Sequence, residues 1–256
     1  LSIRETDVQK QEMLSLIKRN SESLLLLINQ ILDLSKLDSK SLKINYIQGD
    51  ALPYLKYLTE SLHSLANAQN VMLRVESDQP GMVMDYDPDR LQQIVYNLLS
   101  NAVKFTPSGG KVVLKVGRIH HPVDTATITI TDTGAGIPAE DLPKIFDRFY
   151  QAQNQEHSKS GGTGIGLSLT HELVRAMGGE ISVESRLGVG SSFLVKLPIT
   201  NEAPWADKVP GDGLEGSSII IPEFPLISKA ANTQNDDTAL PQILLLEDNP
   251  DVVAYL

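Results

Sequence analysis

The sequence contains no cysteine, which excludes disulfides, thiol nucleophiles and cysteine-ligated zinc and fits a cytoplasmic chain. It has no run of about 18 apolar residues, so no segment reads as a membrane span. Positive charge is also short. Lysine and arginine number 22 against 32 aspartates and glutamates, for a net charge of −10. The clustered basic surface that displaces counterions from nucleic acid is therefore not expected. The opening Leu1-Ser2-Ile3-Arg4-Glu5 lacks an initiator methionine and any signal-peptide character, so an excised piece is expected. What is present is length: 256 residues suffice for one or two domains with a real core.

The pattern divides the chain. Over 8–38, Met13, Ile17, Asn20, Leu24, Leu27, Ile31 and Leu34 alternate steps of four and three, which predicts a long helix with a heptad seam. Leu25, Leu26 and Ile28 widen the stripe, as a bundle requires. From 41 to 200 the signals are mixed. Strands are expected at 71–76, 111–119, 125–131, 180–184 and 192–197, and helices at 51–69, 88–105 and 165–178, the second of these capped by Asp87 with Pro88 in its first turn. Because strands and helices do not alternate regularly, the expectation is an α+β fold, a two-layer α/β sandwich with a mixed sheet. Residues 201–241 lose all periodicity and read as a linker holding one apolar island, Ile219-Ile220-Ile221. The run from Ile243 to Leu246 then begins a buried strand that ends in Glu247 and Asp248.

Three segments between these signals carry chemistry. Asn97 and Asn101 share one helix face, and asparagine offers an uncharged hard oxygen to a Mg²⁺ ion already held by triphosphate oxygens. Lys104, one turn on, can meet a phosphate as a point charge. In the second segment, Asp132-Thr133-Gly134-Ala135-Gly136-Ile137-Pro138, a strand-end carboxylate can accept from an exocyclic amino group of adenine, and Gly134 and Gly136 leave room for a flat base. The third, Gly161-Gly162-Thr163-Gly164-Ile165-Gly166-Leu167, opens a helix, where exposed backbone N–H groups and the helix dipole favour phosphate. No Gly-Lys-Ser/Thr follows, so it is not a P-loop. Residues 150–163, without apolar anchors, read as a lid over bound nucleotide. Together the three describe a site for ATP and Mg²⁺.

Asp89 through Phe105 resembles the N box of sensor histidine kinases, 132–138 their G1 box, Ile145-Phe146-Asp147-Arg148-Phe149-Tyr150 their F box and 161–167 their G2 box. Gly188 to Phe193, with Leu197-Pro198, is similar to the closing strand of their ATP-binding domain. The resemblance covers about residues 8–200. It implies the ATP-binding sandwich shared by gyrase, heat-shock chaperones, histidine kinases and mismatch-repair proteins. It further implies that residues 1–40 are the second helix of a dimeric four-helix phosphotransfer bundle, and hence a homodimer. Asn97, Asn101 and Lys104 would then be catalytic, with Asn101 on Mg²⁺. The nucleotide set would be Asp132, Gly134, Gly136, Ile137, Phe146, Phe149, Gly162, Thr163, Gly164, Ile165, Gly166, Leu167 and Ser192, the two phenylalanines anchoring the lid.

Hydrolysing members of that superfamily carry a glutamate where this chain has Asn97. An amide cannot take a proton from water, so ATP is expected to wait for a protein nucleophile. The histidines are His63, His120, His121, His157 and His171. None stands in the family's acceptor motif; His171-Glu172-Leu173-Val174-Arg175 follows the glycine turn and reads as structural. The acceptor helix is therefore expected to lie outside the chain, which should bind ATP without phosphorylating itself. The tail over 242–256 resembles the first strand of a response-regulator receiver, in which Glu247 and Asp248 would hold Mg²⁺. A hybrid kinase passing phosphate from histidine to a receiver aspartate, in the cytoplasmic part of a membrane receptor, is the resulting expectation. An ATP-hydrolysing clamp and a nucleotide-binding module without kinase activity remain the competing readings.

Overall fold

The computed structural model describes residues 2–151 and 163–206. Helix α1 runs Ser2–Asp38, starting six residues before the expected boundary. It ends in a Schellman motif: Lys40 is left-handed at φ 53°, Ser41 N–H reaches Lys36 O at 2.9 Å and Lys40 N–H reaches Leu37 O at 3.0 Å. Its apolar positions divide into two sets. Leu34 is buried, and Leu27 and Leu37 pack against the core, while Met13, Ile17, Leu24 and Ile31 are 50–59% exposed.

The remaining elements are β1 (Ile47–Asp50), α2 (Ala51–Ser61), α3 (His63–Ala68), β2 (Met72–Ser77), β3 (Val83–Tyr86), α4 (Pro88–Phe105), β4 (Lys111–Ile119), β5 (Thr125–Asp132), α5 (Gly166–Ala176), β6 (Glu180–Arg186) and β7 (Gly190–Pro198). Five strands form one mixed sheet in the order β2-β4-β5-β7-β6, with β2 parallel to β4 and the other neighbours antiparallel. Alternation decides its two faces. Val112, Leu114 and Val116 of β4, Ala126, Ile128 and Ile130 of β5, and Phe193, Val195 and Leu197 of β7 point inward and are buried. The helix layer covers that face. From α4 it receives Leu91, Ile94, Val95, Leu98, Leu99 and Val103, each worth roughly 1.5–3 kcal/mol of apolar burial. The expected α+β sandwich is therefore observed.

Two features differ from the expected strings. The helix expected over 51–69 breaks at Leu62 into α2 and α3. No glycine or proline marks the break; instead the Ser61 hydroxyl donates to Leu58 O at 2.7 Å and the Thr59 hydroxyl to Leu55 O at 2.8 Å, competing with the helix ladder. Strands β1 and β3 form a separate antiparallel ribbon, Ile47 opposite Tyr86 and Asp50 opposite Val83. Each has four residues, too few for alternation to register. Residues 201–206, within the stretch read as linker, lie along this ribbon: Gln48 N–H donates to Pro204 O and Ala206 N–H to Gln48 O, both at 2.9 Å.

Candidate functional site

The three polar and glycine-bearing segments meet around the C-terminal half of α4. Asp87 sets that helix in place, its Oδ1 accepting from the N–H groups of Asp89 and Arg90 at 3.0 and 3.1 Å while Oδ2 accepts from Asn45 N–H at 2.7 Å. Asn97 lies against the start of α5: its amide donates to the Thr170 hydroxyl at 2.7 Å, and a Cβ on Gly166 would collide with its Oδ1. The first and third segments are thus in contact. The C-terminal end of α4 meets the second, where Ala135 N–H donates to Phe105 O at 3.3 Å and a Cβ on Gly134 would sit 2.5 Å from that same oxygen. Asn101 and Lys104 are half-buried on the intervening helix. Desolvation lowers the Lys104 pKa, and its ammonium lies 5.2 Å from the centroid of the Phe105 ring.

Asp132 closes β5 on the inward face and is 7% exposed. Its Oδ1 accepts from Gly134 N–H at 2.7 Å and from Ser191 N–H at 3.3 Å. Burial raises its pKa, and those two backbone donors partly offset the rise. The loop after it is clamped to the β6–β7 hairpin: Ile137 N–H donates to the Ser185 hydroxyl at 2.8 Å, Gly188 N–H donates to Ala135 O at 2.7 Å, and Gly136 approaches Arg186 too closely for any Cβ.

Phe146 and Phe149 have different environments. Phe146 is half-buried and stacks on His171 at 5.3 Å between centroids. Phe149 is 66% exposed; its φ is +64° and its N–H donates to Gly164 O at 2.9 Å. The preceding segment is braced by the Tyr150 hydroxyl, which donates to Asp141 at 2.6 Å; that bond, with burial, pushes its pKa up to about 12. Across the glycine turn, Ile165 is buried, Leu167 packs on the core, and Ile165 N–H donates to the Thr163 hydroxyl at 3.3 Å. Helix α5 has no side-chain hydrogen bond at its cap and no acidic residue in its first turn. His171 stacks on Phe146 and lies 3.3 Å from Glu172. Gly162, His157, Glu247, Asp248 and most of the expected lid lie outside the described residues.

Ser192 stands on the other face of β7. It pairs with Thr131, and their hydroxyls are 3.0 Å apart. Its neighbour Ser191 is the residue beside Asp132, with its hydroxyl 2.9 Å from that of Ser185. The inward alternation of Phe193, Val195 and Leu197, extended by one step, carries Ser191 inward as well. Thr170 and Ser185 belong to none of the motif segments, and Phe105, last in the N box, enters through its backbone carbonyl, which residue type does not encode.

The profile of the histidine kinase-, DNA gyrase B- and HSP90-like ATPases matches residues 86–201. The sensor histidine kinase TmoS of Ectopseudomonas mendocina is 31% identical over 249 residues, covering 94% of this chain and 25% of that protein. The sensor histidine kinase RcsC of Escherichia coli (strain K12) is 38% identical over 200 residues, or 77% of this chain and 20% of that one. The chain thus spans a quarter or less of these curated relatives. Among solved structures, full-length ShkA in complex with AMPPNP superposes with a TM-score of 0.63 at 28% identity, covering 71% of this chain and 37% of ShkA. With the N-box helix, the buried aspartate and the glycine turn brought together as described, residues 86–201 are a domain of the histidine kinase-, DNA gyrase B- and HSP90-like ATPase family, the catalytic domain of sensor histidine kinases.

Proposed function

We propose that this chain is the ATP-binding catalytic part of a hybrid sensor histidine kinase, passing the γ-phosphoryl group of ATP to a histidine on the first helix of its dimerisation bundle and onward to a receiver aspartate. The convergence of three distant segments on one half of α4 carries this reading: Asn97 touches Gly166 and Thr170, and Phe105 meets Gly134 and Ala135. The residues present suit an adenine nucleotide. Asp132 offers a buried carboxylate whose two backbone donors both fall on Oδ1, so it can still accept from the amino group of adenine. The first turn of α5, uncapped by any side chain, has backbone N–H groups for phosphate. Lys104 adds a half-buried cation. ATP would supply the transferable phosphoryl group, and Asn101 would offer its amide oxygen to a Mg²⁺ ion that screens the phosphate charge.

Asn97 decides the reaction class. Its side chain is an amide committed to Thr170, so it can neither abstract a proton from water nor swing freely toward one. The nucleotide is retained for a histidine nucleophile. Helix α1 is the second bundle helix, residues 41–200 the catalytic domain, 201–241 the linker and 242–256 the start of the receiver; ShkA, crystallised with AMPPNP, is a structural relative with a bound nucleotide analogue. This part of the parent works in the cytoplasm.

The test is to incubate the chain with radiolabelled ATP and Mg²⁺, alone and joined to its upstream helix. Acid-labile, alkali-stable phosphate in the joined protein, with turnover to ADP near background in the chain alone, is the expected outcome. Steady hydrolysis by the chain alone would instead identify a clamp-type ATPase.

A further inference from the structure

Among the described residues, five buried serines and threonines stand on a helix or at its end: Thr59, Ser100, Thr106, Ser168 and Thr170. Four of them turn back on their own backbone. Thr59 donates to Leu55 O at 2.8 Å, Ser100 to Asn97 O at 3.1 Å, Thr106 to Ala102 O at 2.6 Å and Ser168 to Ile165 O at 2.8 Å. Thr170 faces another helix instead: its hydroxyl accepts from Nδ2 of Asn97 on α4 at 2.7 Å. The residue is 1% exposed. A valine fills the same volume without a polar atom, and a buried hydroxyl is costly unless it is bonded. The hydroxyl at position 170 is therefore explained by Asn97 and not by packing.

The Asn97 carboxamide lies along the first turn of α5. A Cβ on Gly166 would collide with Oδ1 and stand 3.0 Å from Cγ and 3.1 Å from Nδ2, so the oxygen is the end nearest the first residue of that helix. The nitrogen is turned to Thr170, four residues on. A hydroxyl accepts as well as donates, so Thr170 alone does not select between this amide and the reversed one. The helix does. Its N-terminal end carries partial positive charge, and α5 has there neither a side-chain hydrogen bond at its cap nor an acidic residue in the first turn. Oxygen toward that end aligns the amide dipole with the helix, whereas the reversed amide would set two N–H donors against the field.

We infer that Thr170 is a positioning residue for phosphoryl transfer: its hydroxyl holds the Asn97 carboxamide with the nitrogen turned into the helix layer and the oxygen beside the glycine turn. On the nucleotide-binding reading proposed above, that oxygen would be an uncharged acceptor for the water shell that Mg²⁺ keeps when a triphosphate holds it. An amide free to turn would present N–H donors to the same shell for part of the time. Asn97 is half-buried, whereas Thr170 is covered, so Thr170 acts through the amide and not on the nucleotide.

The test uses the full chain labelled with ¹⁵N, with Thr170→Ser, which keeps the hydroxyl, and Thr170→Val, which removes it. The side-chain amide of Asn97 is identified by its loss from the spectrum of Asn97→Asp. In the parent and in Thr170→Ser it should exchange with water roughly tenfold more slowly than a free asparagine amide, and in Thr170→Val at the free rate. Calorimetry with AMPPNP gives the second readout. Without Mg²⁺ the three proteins should bind alike; with Mg²⁺, affinity should fall about tenfold in Thr170→Val and hold in Thr170→Ser, the weight of one hydrogen bond. If Thr170→Val does not fold, Thr170→Ala replaces it, and the exchange rate in the parent decides by itself. A free exchange rate in the parent, or the same Mg²⁺ dependence with and without the hydroxyl, would overturn the assignment. So would an equal loss of affinity in the presence and absence of Mg²⁺, which marks a general loosening of α5. A parent that binds no AMPPNP would instead remove the nucleotide reading, while the exchange rates still test the hold of Thr170 on Asn97.

Discussion

Burial pushes the Asp132 carboxyl above its ordinary value of 3.8, and the N–H groups of Gly134 and Ser191 offset that only in part. Between 3.8 and the raised folded value, the native protein holds a proton that the unfolded chain has released. Stability therefore falls as pH rises through that window and stays lower above it. An isosteric amide keeps an oxygen for both backbone donors and removes the charge. Asp132→Asn should accordingly be at least as stable as the parent in urea denaturation at pH 7, the difference closing as pH falls toward 3.8. Its affinity for AMPPNP, measured by calorimetry, should drop roughly 10- to 100-fold, the weight of one hydrogen bond to a charged group. A variant with unchanged affinity would remove Asp132 from the adenine contact. The residue itself was legible, because a lone carboxylate at a strand end before two glycines is a strong local pattern. Its backbone partner Ser191 stands one position from the expected Ser192, and one position in a strand exchanges the faces of the sheet.

At the scale of elements, the glycine turn and the F-box segment are joined through their backbones. Gly164 has φ +68°, and a Cβ there would come within 2.6 Å of the Phe149 carbonyl carbon. The left-handed conformation alone costs an L-residue roughly 1–2 kcal/mol, and the contact adds to it. Gly164→Ala should lower stability by about 2 kcal/mol or more in chemical denaturation and weaken nucleotide binding, since Phe149 and the start of α5 must then separate. A second join is electrostatic. Arg148 donates to both carboxylate oxygens of Asp38 at 2.8 and 2.5 Å, and Asp33 receives Arg90 at 3.2 Å and Gln93 at 3.1 Å. The Arg148 guanidinium beside Asp38 holds that carboxyl below its usual value. Both partners of the outer pair are solvent-accessible, so the pair is screened by salt. Arg148→Gln, or high salt, should speed amide exchange in the last turn of α1 and leave α4 unchanged. Equal protection in parent and variant would show that Leu34, Leu37 and the Asp33 bonds to Arg90 and Gln93 hold the helix end without it. Helices α1, α4 and α5 and the five sheet strands were readable because each is long enough to show its period. The β1–β3 ribbon was not, because its strands are four residues each and pair only in the tertiary structure. The α2–α3 break was not, because hydroxyl bonds from Thr59 and Ser61 to the preceding turn mark it without glycine or proline.

For the whole molecule, the exposed half of α1 gathers many of the exposed large apolar side chains among the described residues. Met13, Leu14, Leu16, Ile17, Leu24, Leu25, Ile28 and Ile31 are all 45–65% exposed on a single helix, and such a stripe marks an association surface. Sedimentation velocity should find the chain as a dimer, and Leu24→Glu should shift it to monomer while affinity for AMPPNP stays the same, because the nucleotide segments lie at α4 and α5. A monomeric parent would refute the bundle assignment of α1. Fold class, the heptad seam, the order of the three nucleotide segments and the absence of a glutamate at position 97 follow from the linear chain, since each rests on residue type and short spacing. Strand order, the parallel β2–β4 pair, the face taken by Ser191 and Ser192, the Asp38–Arg148 join and the Asn97–Thr170 bond follow from the tertiary structure alone. Those relations link residues such as Asp38 and Arg148 or Asn97 and Thr170, 110 and 73 positions apart, and local periodicity carries no information over such distances.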